Sequence, residues 1–289
     1  MIDPERHPLS ILAKRYPQLC LPVKEGAGDS LLYRAVVLRG KETGSEPLGF
    51  TLSAQDTLQV YHTPAGDAEV LYLSEREDFE RAVCALAYRC EPKQIPRSMG
   101  ATTIRGLINW EKIRARRTVY EASGGTEWNE EFRRFTAVTE NYRDTLILVS
   151  KGFYSAVLPE QIGLPPTEWR ERSLRIRIYH ELTHFVCRKR FPRDIDAIRD
   201  EVLADAVGIV AAFGTYCPEL ARLFLGIEGA AYRSGGRLEN YCADRSDLSE
   251  TMTAAKDWTA RVSAALTGRG HDDPFGAMMI LLKEFLEKL

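Results

Sequence analysis

The spacing of apolar residues predicts a long helix from about residue 168 to about residue 190. Apolar side chains recur there at the three- and four-residue intervals of one helical face: Leu174, Ile178, Leu182 and Phe185. Thr167 is the expected N-cap of this helix. The helix should end near Arg190, because Pro192 disfavours the helical conformation of the residue before it.

A second helix is expected directly after the first. Its apolar residues again follow the helical interval: Ile195, Ile198, Val202, Ala206, Ile209 and Val210. Asp194 is the expected N-cap, and Gly214 is the expected end of the helix. Because a turn at Pro192 joins the two helices, they should pack antiparallel.

The chain as a whole divides into two parts by its pattern. Residues 1–160 combine a predicted helix near 77–88 with apolar runs that predict strands: 50–52, 68–73 and 145–150. Later in the chain helices dominate, with further segments near 217–227, 246–266 and 274–288. We therefore predict an α+β fold, in which a mixed α/β part with a sheet (1–160) precedes a mainly helical part (161–289).

The first predicted helix contains the HExxH motif His180-Glu181-Leu182-Thr183-His184. Two histidines four residues apart project from one helical face, so both imidazoles can reach one metal ion while Glu181 stands beside an open coordination position. The alternative interpretation is a pair of satisfied core histidines with a salt-bridged glutamate. Acidic residues on the second helix favour the metal.

Residues equidistant from the turn should lie level, because both helices rise about 1.5 Å per residue. His184 is eight positions before Pro192 (192 − 184 = 8), and Glu201 is nine after it (201 − 192 = 9). His180 is twelve before, and Asp205 is thirteen after. Glu201 is therefore the predicted third metal ligand, and Asp205 is the carboxylate expected to accept the free ring N–H of His180.

Other residues near the motif allow different assignments. Glu201 stands beside Arg199 and Asp200, so a solvated charged face would also explain it. Cys187 and Asp196 are the next ligand candidates, and Asp196 should lie about a turn below the metal. His7 and His62 have no acidic or histidine partners at metal-binding spacing and receive no role: both are left as ordinary histidines.

The motif followed by Glu201-Val202-Leu203-Ala204-Asp205 resembles the gluzincin metallopeptidases, the thermolysin-like group whose pattern is HExxH followed by ExxxD. The match covers roughly residues 174–210. One departure is Asp200, where thermolysin-like enzymes commonly carry asparagine. The resemblance implies a zincin-like fold, with the metal helix along the floor of a cleft and an edge strand above it.

The resemblance also implies roles for particular residues. Glu181 would be the general base and Asp205 the supporting carboxylate, while Zn²⁺ would be held by three side chains: His180, His184 and Glu201. Thermolysin-like enzymes carry a histidine ahead of a later helix that hydrogen-bonds the oxyanion, and His271 stands in a similar glycine-flanked position. A surface histidine in a turn is the alternative. Tyr232 and Tyr241 are other possible oxyanion donors.

Composition narrows the class of protein. The 289 residues are 44% hydrophobic with a net charge of −2, so no electrostatic footprint for nucleic acid is evident. No apolar stretch of about 18 residues predicts a membrane span, and the N-terminus has no signal-peptide pattern. The six cysteines form no CxxC pair and are expected to be reduced thiols. We expect a cytoplasmic protein whose oligomeric state the sequence does not indicate.

These patterns predict a zinc-dependent hydrolase, most simply a metallopeptidase that cleaves a peptide or amide bond through a zinc-activated water. The alternatives are a non-catalytic zinc-bearing protein, structural or peptide-binding, and a zinc hydrolase of a small non-peptide substrate. Glu181 favours catalysis, because a structural site needs no base. An edge strand within 96–104 could bind an extended peptide, although a core strand or loop explains it as well. A basic cluster precedes the motif: Arg170, Arg172, Arg175 and Arg177. It could select acidic substrates, or it could simply be a solvent-exposed basic side of the helix.

Overall fold

The structure, a computed structural model, describes residues 6–42, 44, 46–191, 195–242, 247–268 and 273–286. The chain forms an α+β protein, which confirms the predicted fold class. Its residues group into two compact units. The sheet unit comprises Met1–Val60, Glu69–Pro96 and Thr102–Ser150, and the helical unit comprises Tyr61–Ala68, Arg97–Ala101 and Lys151–Leu289.

A four-stranded sheet has the order β1-β2-β4-β3. Its strands are β1 (Thr57–Thr63), β2 (Gly66–Leu73), β3 (Ala101–Ile108) and β4 (Arg143–Ser150). Strands β2 and β4 pair in parallel, from Glu69 opposite Leu146 to Leu73 opposite Ser150. The end of β4 is buried at every successive residue, as expected for a central strand that is covered on both faces.

The predicted strands near 68–73 and 145–150 are present as β2 and β4. The predicted strand at 50–52 is wrong. That segment is irregular because the amide of Thr51 donates to the carboxylate of Asp78 and Leu52 adopts a left-handed φ of 56°. The segment 96–104 is irregular before Ala101, where the edge strand β3 begins.

The sheet unit also contains helices. They are α1 (Pro8–Arg15), α2 (Leu31–Tyr33, continuing as a π-helical turn over Arg34–Leu38), α3 (Arg76–Ala87), α4 (Trp110–Ala122) and α5 (Trp128–Thr136). Helix α3 was predicted from its amphipathic pattern and packs on β4. His7 caps α1 by accepting the amide of Leu9, so this histidine has a structural role.

The helical unit carries the predicted helix pair. Its elements are α6 (Pro159–Ile162), α7 (Pro166–Arg190), α8 (Ala197–Phe213), α9 (Pro218–Leu225), the short strands β5 (Ile227–Glu228) and β6 (Ala231–Tyr232), α10 (Leu248–Leu266) and α11 (Pro274–Phe285). Single 3₁₀ turns lie at Tyr154–Ala156 and Arg237–Tyr241. In the described part of the chain, no helix has the length and apolar character needed to cross a membrane.

The starts of the two long helices differ in detail from the prediction, whereas Arg190 ends α7 and Gly214 caps the end of α8 as predicted. Helix α7 starts at Pro166, two residues before the predicted first helical position, because proline suits the first turn, where its missing N–H needs no partner. Helix α8 is capped by Asp196, whose carboxylate accepts the amide of Arg199 at 2.9 Å. The predicted caps Thr167 and Asp194 are therefore wrong. Asp194 itself lies outside the described residues.

Close packing joins α7 to α8. A Cβ on Gly208 of α8 would lie 2.9 Å from the carbonyl oxygen of Ile176 on α7, so only glycine permits this approach. Nearby, the ring of Trp169 stacks on Phe224 at 6.0 Å, within the core cluster that also contains Tyr154. This contact lies about one turn from His180, next to the side chains of the motif.

Candidate metal centre

Three side chains from α7 and α8 converge on one point in the helical unit. The Nε2 atoms of His180 and His184 lie 3.0 Å apart. Glu201 approaches both, with Oε2 3.5 Å from Nε2 of His180 and Oε1 3.3 Å from Nε2 of His184. Both histidines are buried, and Glu201 is nearly so. One ligand atom from each of the three residues lies within 4.8 Å of the other two. Among the described residues, no other group of three or more potential ligands meets this criterion.

These separations match the ligand shell of a small metal ion. A tetrahedral zinc ion with bonds of about 2.0–2.1 Å holds its ligand atoms about 3.3–3.4 Å apart. The three separations here are 3.0, 3.3 and 3.5 Å. Two imidazoles and one carboxylate are also a ligand set that zinc accepts, with a fourth position left for water or substrate. The residues present therefore fit a zinc ion.

The far nitrogen of each histidine is paired with a carboxylate. Nδ1 of His180 lies 2.9 Å from Oδ1 of Asp205, and Nδ1 of His184 lies 2.9 Å from Oδ2 of Asp200. An ionised carboxylate only accepts hydrogen bonds, so both Nδ1 atoms carry the proton in the neutral rings. The two Nε2 lone pairs then face each other and Glu201, an arrangement of acceptors that requires a positive charge between them.

The electrostatics of the centre agree with this requirement. Burial alone would lower the pKa of His184, but hydrogen bonds to Asp200 and Glu201 outweigh it and raise this pKa to about 10. Burial would raise the pKa of Glu201, yet the neighbouring His180 and the hydrogen bond from His184 hold it well below its ordinary value. The surrounding carboxylates therefore favour a positive charge at this point, here as a proton on His184.

Two further residues complete the centre, and neither was predicted. The hydroxyl of Tyr154 lies 3.0 Å from Nδ1 of His180 and donates to Oδ1 of Asp205 at 2.6 Å. Arg237 donates to the Tyr154 hydroxyl at 2.7 Å and also binds Asp205, and its Nη2 is 3.5 Å from Glu201. Burial favours a neutral Asp205, but the charge of Arg237 holds the pKa of this carboxyl below its ordinary value.

Asp200 could have been found from the sequence, whereas the other two could not. Asp200 is eight positions after Pro192 (200 − 192 = 8), level with His184 by the same count that selected Glu201. Tyr154 and Arg237 reach the centre from short 3₁₀ turns outside the helix pair. No periodicity or motif marks such positions.

The remaining predicted residues fall in different places. Glu181 is half-buried and follows His180 directly on α7. His271 lies outside the described residues. Cys187 is buried, its thiol pKa is raised by burial, and it is not part of the converging group. Tyr232 donates its hydroxyl to the carbonyl of Gly236 at 2.7 Å, and burial raises the pKa of the Tyr241 hydroxyl.

Two members of the predicted basic cluster have partners inside the helical unit. Arg177 is buried and donates to the carbonyl oxygens of Gly152 and Phe153, at 2.7 and 2.9 Å. Arg172 is bonded to Glu168 and to the carbonyl of Ala212. These contacts attach loops and the end of α8 to α7. They explain two of the arginines without a substrate.

The chain belongs to DUF7005, a family of unknown function, whose model matches residues 4–267. That range includes α7, α8 and all the residues of the candidate metal centre. Comparisons with curated proteins and with solved structures found no match. The functional argument therefore depends on the geometry of the centre.

Proposed function

We propose that this protein is a zinc-dependent hydrolase of gluzincin type, which cleaves a peptide or other amide bond. The observation that supports it best is the convergence of two Nε2 atoms and one carboxylate at 3.0–3.5 Å, with both Nδ1 atoms paired to carboxylates. A zincin-like arrangement of the fold is part of the same proposal. It is supported by the antiparallel pair α7 and α8, in which α7 carries the HExxH motif and α8 carries the third ligand, Glu201.

Each residue has a defined task in this proposal. His180, His184 and Glu201 hold the metal, and Asp205 and Asp200 orient the two imidazoles by accepting their Nδ1–H groups. When bound, zinc supplies a Lewis acid that polarises the scissile carbonyl and lowers the pKa of water towards about 7. Glu181 accepts the proton of the attacking water and returns it to the leaving amine.

The two alternatives differ from this proposal in what they require of the site. A structural zinc site normally has four protein ligands, and the converging group has three among the residues that the structure describes. A hydrolase of a small non-peptide substrate would use the same residues, so only substrate screening separates it from a peptidase. Glu181, placed next to a ligand, favours catalysis over simple binding.

The proposal is tested with Glu181→Gln, which keeps the size and polarity of the side chain. We expect about one zinc per chain and an unchanged melting temperature, while hydrolysis falls by a factor of about 10² or more. Product formation from a broad peptide library is compared at equal zinc occupancy. Glu168→Gln is the matched control, because Glu168 forms an exposed ion pair with Arg172 on the same helix and should leave turnover unchanged.

Two outcomes would contradict the peptidase proposal. Identical cleavage by wild type and Glu181→Gln would show that Glu181 is not the base. If neither protein cleaves any library member although both carry zinc, the protein is a non-peptide hydrolase or a zinc-bearing binding protein.

A further inference from the structure

We propose that Tyr154 is a positioning residue of the zinc centre, and that its hydroxyl determines zinc affinity by holding Asp205 against His180. This role rests on the proposed zinc site. Tyr154 contacts the nitrogen of His180 that points away from the metal position, so it acts on the metal through its neighbours. Neither the HExxH motif nor the paired acidic residues include it.

The neighbours of the Tyr154 hydroxyl determine which hydrogen bonds it donates and which it accepts. Arg237 can only donate, so the hydroxyl oxygen accepts from it, and the single hydroxyl proton goes to Asp205. The remaining lone pair faces Nδ1 of His180 at 3.0 Å. Both groups that face Nδ1, the hydroxyl oxygen and Oδ1 of Asp205, are acceptors. His180 therefore keeps its proton on Nδ1 and presents the Nε2 lone pair to the metal position.

The backbone around Tyr154 is attached to the same helix that carries the histidines. The amide of Tyr154 donates to Oγ of the buried Ser173 at 3.0 Å, and Arg177 binds the two preceding carbonyl oxygens at 2.7 and 2.9 Å. The next residues, Ser155 and Ala156, have left-handed φ values of 51° and 55°, which non-glycine residues rarely adopt. Contacts that hold such a conformation fix the hydroxyl relative to α7.

The ring and the hydroxyl of Tyr154 have separable roles. The ring is buried in the core cluster and meets Phe224 edge-on, with centroids 5.0 Å apart. Phenylalanine would preserve this packing and remove only the hydroxyl. Asp205 would lose the hydrogen bond from the hydroxyl and keep its contact with Arg237, and the second acceptor for Nδ1 of His180 would be lost. The variant thus isolates the positioning effect.

The experiment measures the zinc dissociation constant of the full-length chain by competition with a chromophoric chelator. Tyr154→Phe should raise this constant about 10- to 100-fold, the usual range for losing a supporting hydrogen bond at a metal ligand. Tyr16→Phe is the matched control, because in the sheet unit the Tyr16 hydroxyl also donates to a carboxylate, Asp144, at 2.7 Å. We expect this control to bind zinc as wild type does.

A double-mutant cycle shows whether the hydroxyl acts through Asp205. In an Asp205→Asn background, Tyr154→Phe should change the zinc dissociation constant by less than about threefold, because residues in one hydrogen-bond network are not additive. A full effect of Tyr154→Phe in that background would overturn the role. Ser173→Ala gives a second route if Tyr154→Phe does not fold: by releasing the turn it should weaken zinc binding, and unchanged affinity would contradict the proposal.

The outcomes separate this role from the proposed function. If wild type binds no zinc, both are overturned. If wild type binds zinc and Tyr154→Phe binds it equally well, only the positioning role is overturned. A drop in affinity at an unchanged melting temperature supports the role, because a merely structural side chain would change the melting temperature instead.

Discussion

Two polar clusters of this protein differ in how their donors and acceptors match. In the sheet unit, Asp144 accepts hydrogen bonds from the hydroxyl of Tyr16, the amide of Asn109 and the ammonium of Lys112, at 2.7, 2.6 and 2.7 Å. Three donors surround one acceptor-only group, so the cluster is satisfied by its own atoms. It is a structural cluster that needs no ligand.

The centre in the helical unit has the opposite property. There the two Nε2 atoms face each other at 3.0 Å, with Glu201 within 3.5 Å of both. The outer side of each imidazole is paired with Asp205 or Asp200, and in the neutral rings the inner side presents an acceptor toward the other ring and Glu201. Burial and charge are common to both clusters. The mismatch of acceptors is what distinguishes a candidate cation site from a structural one.

The largest effect should come from His184→Ala, which removes one of the facing acceptors. We expect zinc content, measured on dialysed protein, to fall from about one per chain to near zero, because two protein ligands rarely retain zinc. His62→Ala is the control, since His62 is exposed and pairs with Asp67 at the surface. Glu201→Ala should behave as His184→Ala does. Full zinc occupancy in Glu201→Ala would show that the third ligand lies elsewhere.

Asp144→Ala tests the satisfied cluster. Removing this acceptor leaves its donors without their partner and should lower the free energy of unfolding by about 1–3 kcal/mol, as measured by urea denaturation. Zinc affinity should stay at the wild-type value. If Asp144→Ala instead lost much of its zinc affinity at unchanged stability, the balance of hydrogen-bond donors and acceptors would not distinguish the two clusters.

The same residue gives this cluster a defined pH dependence. Burial would raise the pKa of Asp144, but hydrogen bonds from Lys112, Tyr16 and Asn109 outweigh it and hold the pKa below its ordinary value. A depressed folded-state pKa adds stability above the unfolded pKa of about 3.9, and this contribution is lost as the pH falls through the lower folded value. Asp144→Ala should therefore lose less stability than wild type on acidification below about pH 4.

A smaller effect on zinc binding than that of His184→Ala is expected from Gly208→Ala, which acts on the spacing of the metal centre. The added Cβ would lie 2.9 Å from the carbonyl oxygen of Ile176, so α7 and α8 must separate slightly, at a cost of about 1–3 kcal/mol in unfolding free energy. Zinc affinity should fall as well, because the ligands come from both helices. Gly44→Ala is the control, since an added Cβ there meets nothing within 4 Å. Equal melting temperatures and equal zinc affinity in the two variants would contradict this account.

The helices and the order of residues on them could be predicted from the sequence. Periodicity predicted α3 and the pair α7 and α8, because the helical repeat is a local property. The exact helix starts were missed: Pro166 and Asp196 take the terminal positions that the prediction gave to other residues. Such ends depend on which local cap competes best, and several candidates stand close together.

The sequence by itself determined that two histidines four residues apart share a helical face. It also determined that Glu201 and Asp205 stand level with them, because both helices rise by the same distance per residue from the turn that joins them. Only the tertiary structure decided that Tyr154 and Arg237 join the centre, from turns 26 and 32 residues away from His180 and Asp205 respectively. Regular helices repeat, so their contacts follow from counting. Irregular segments do not repeat, and their side chains reach a site only where packing of the core places them.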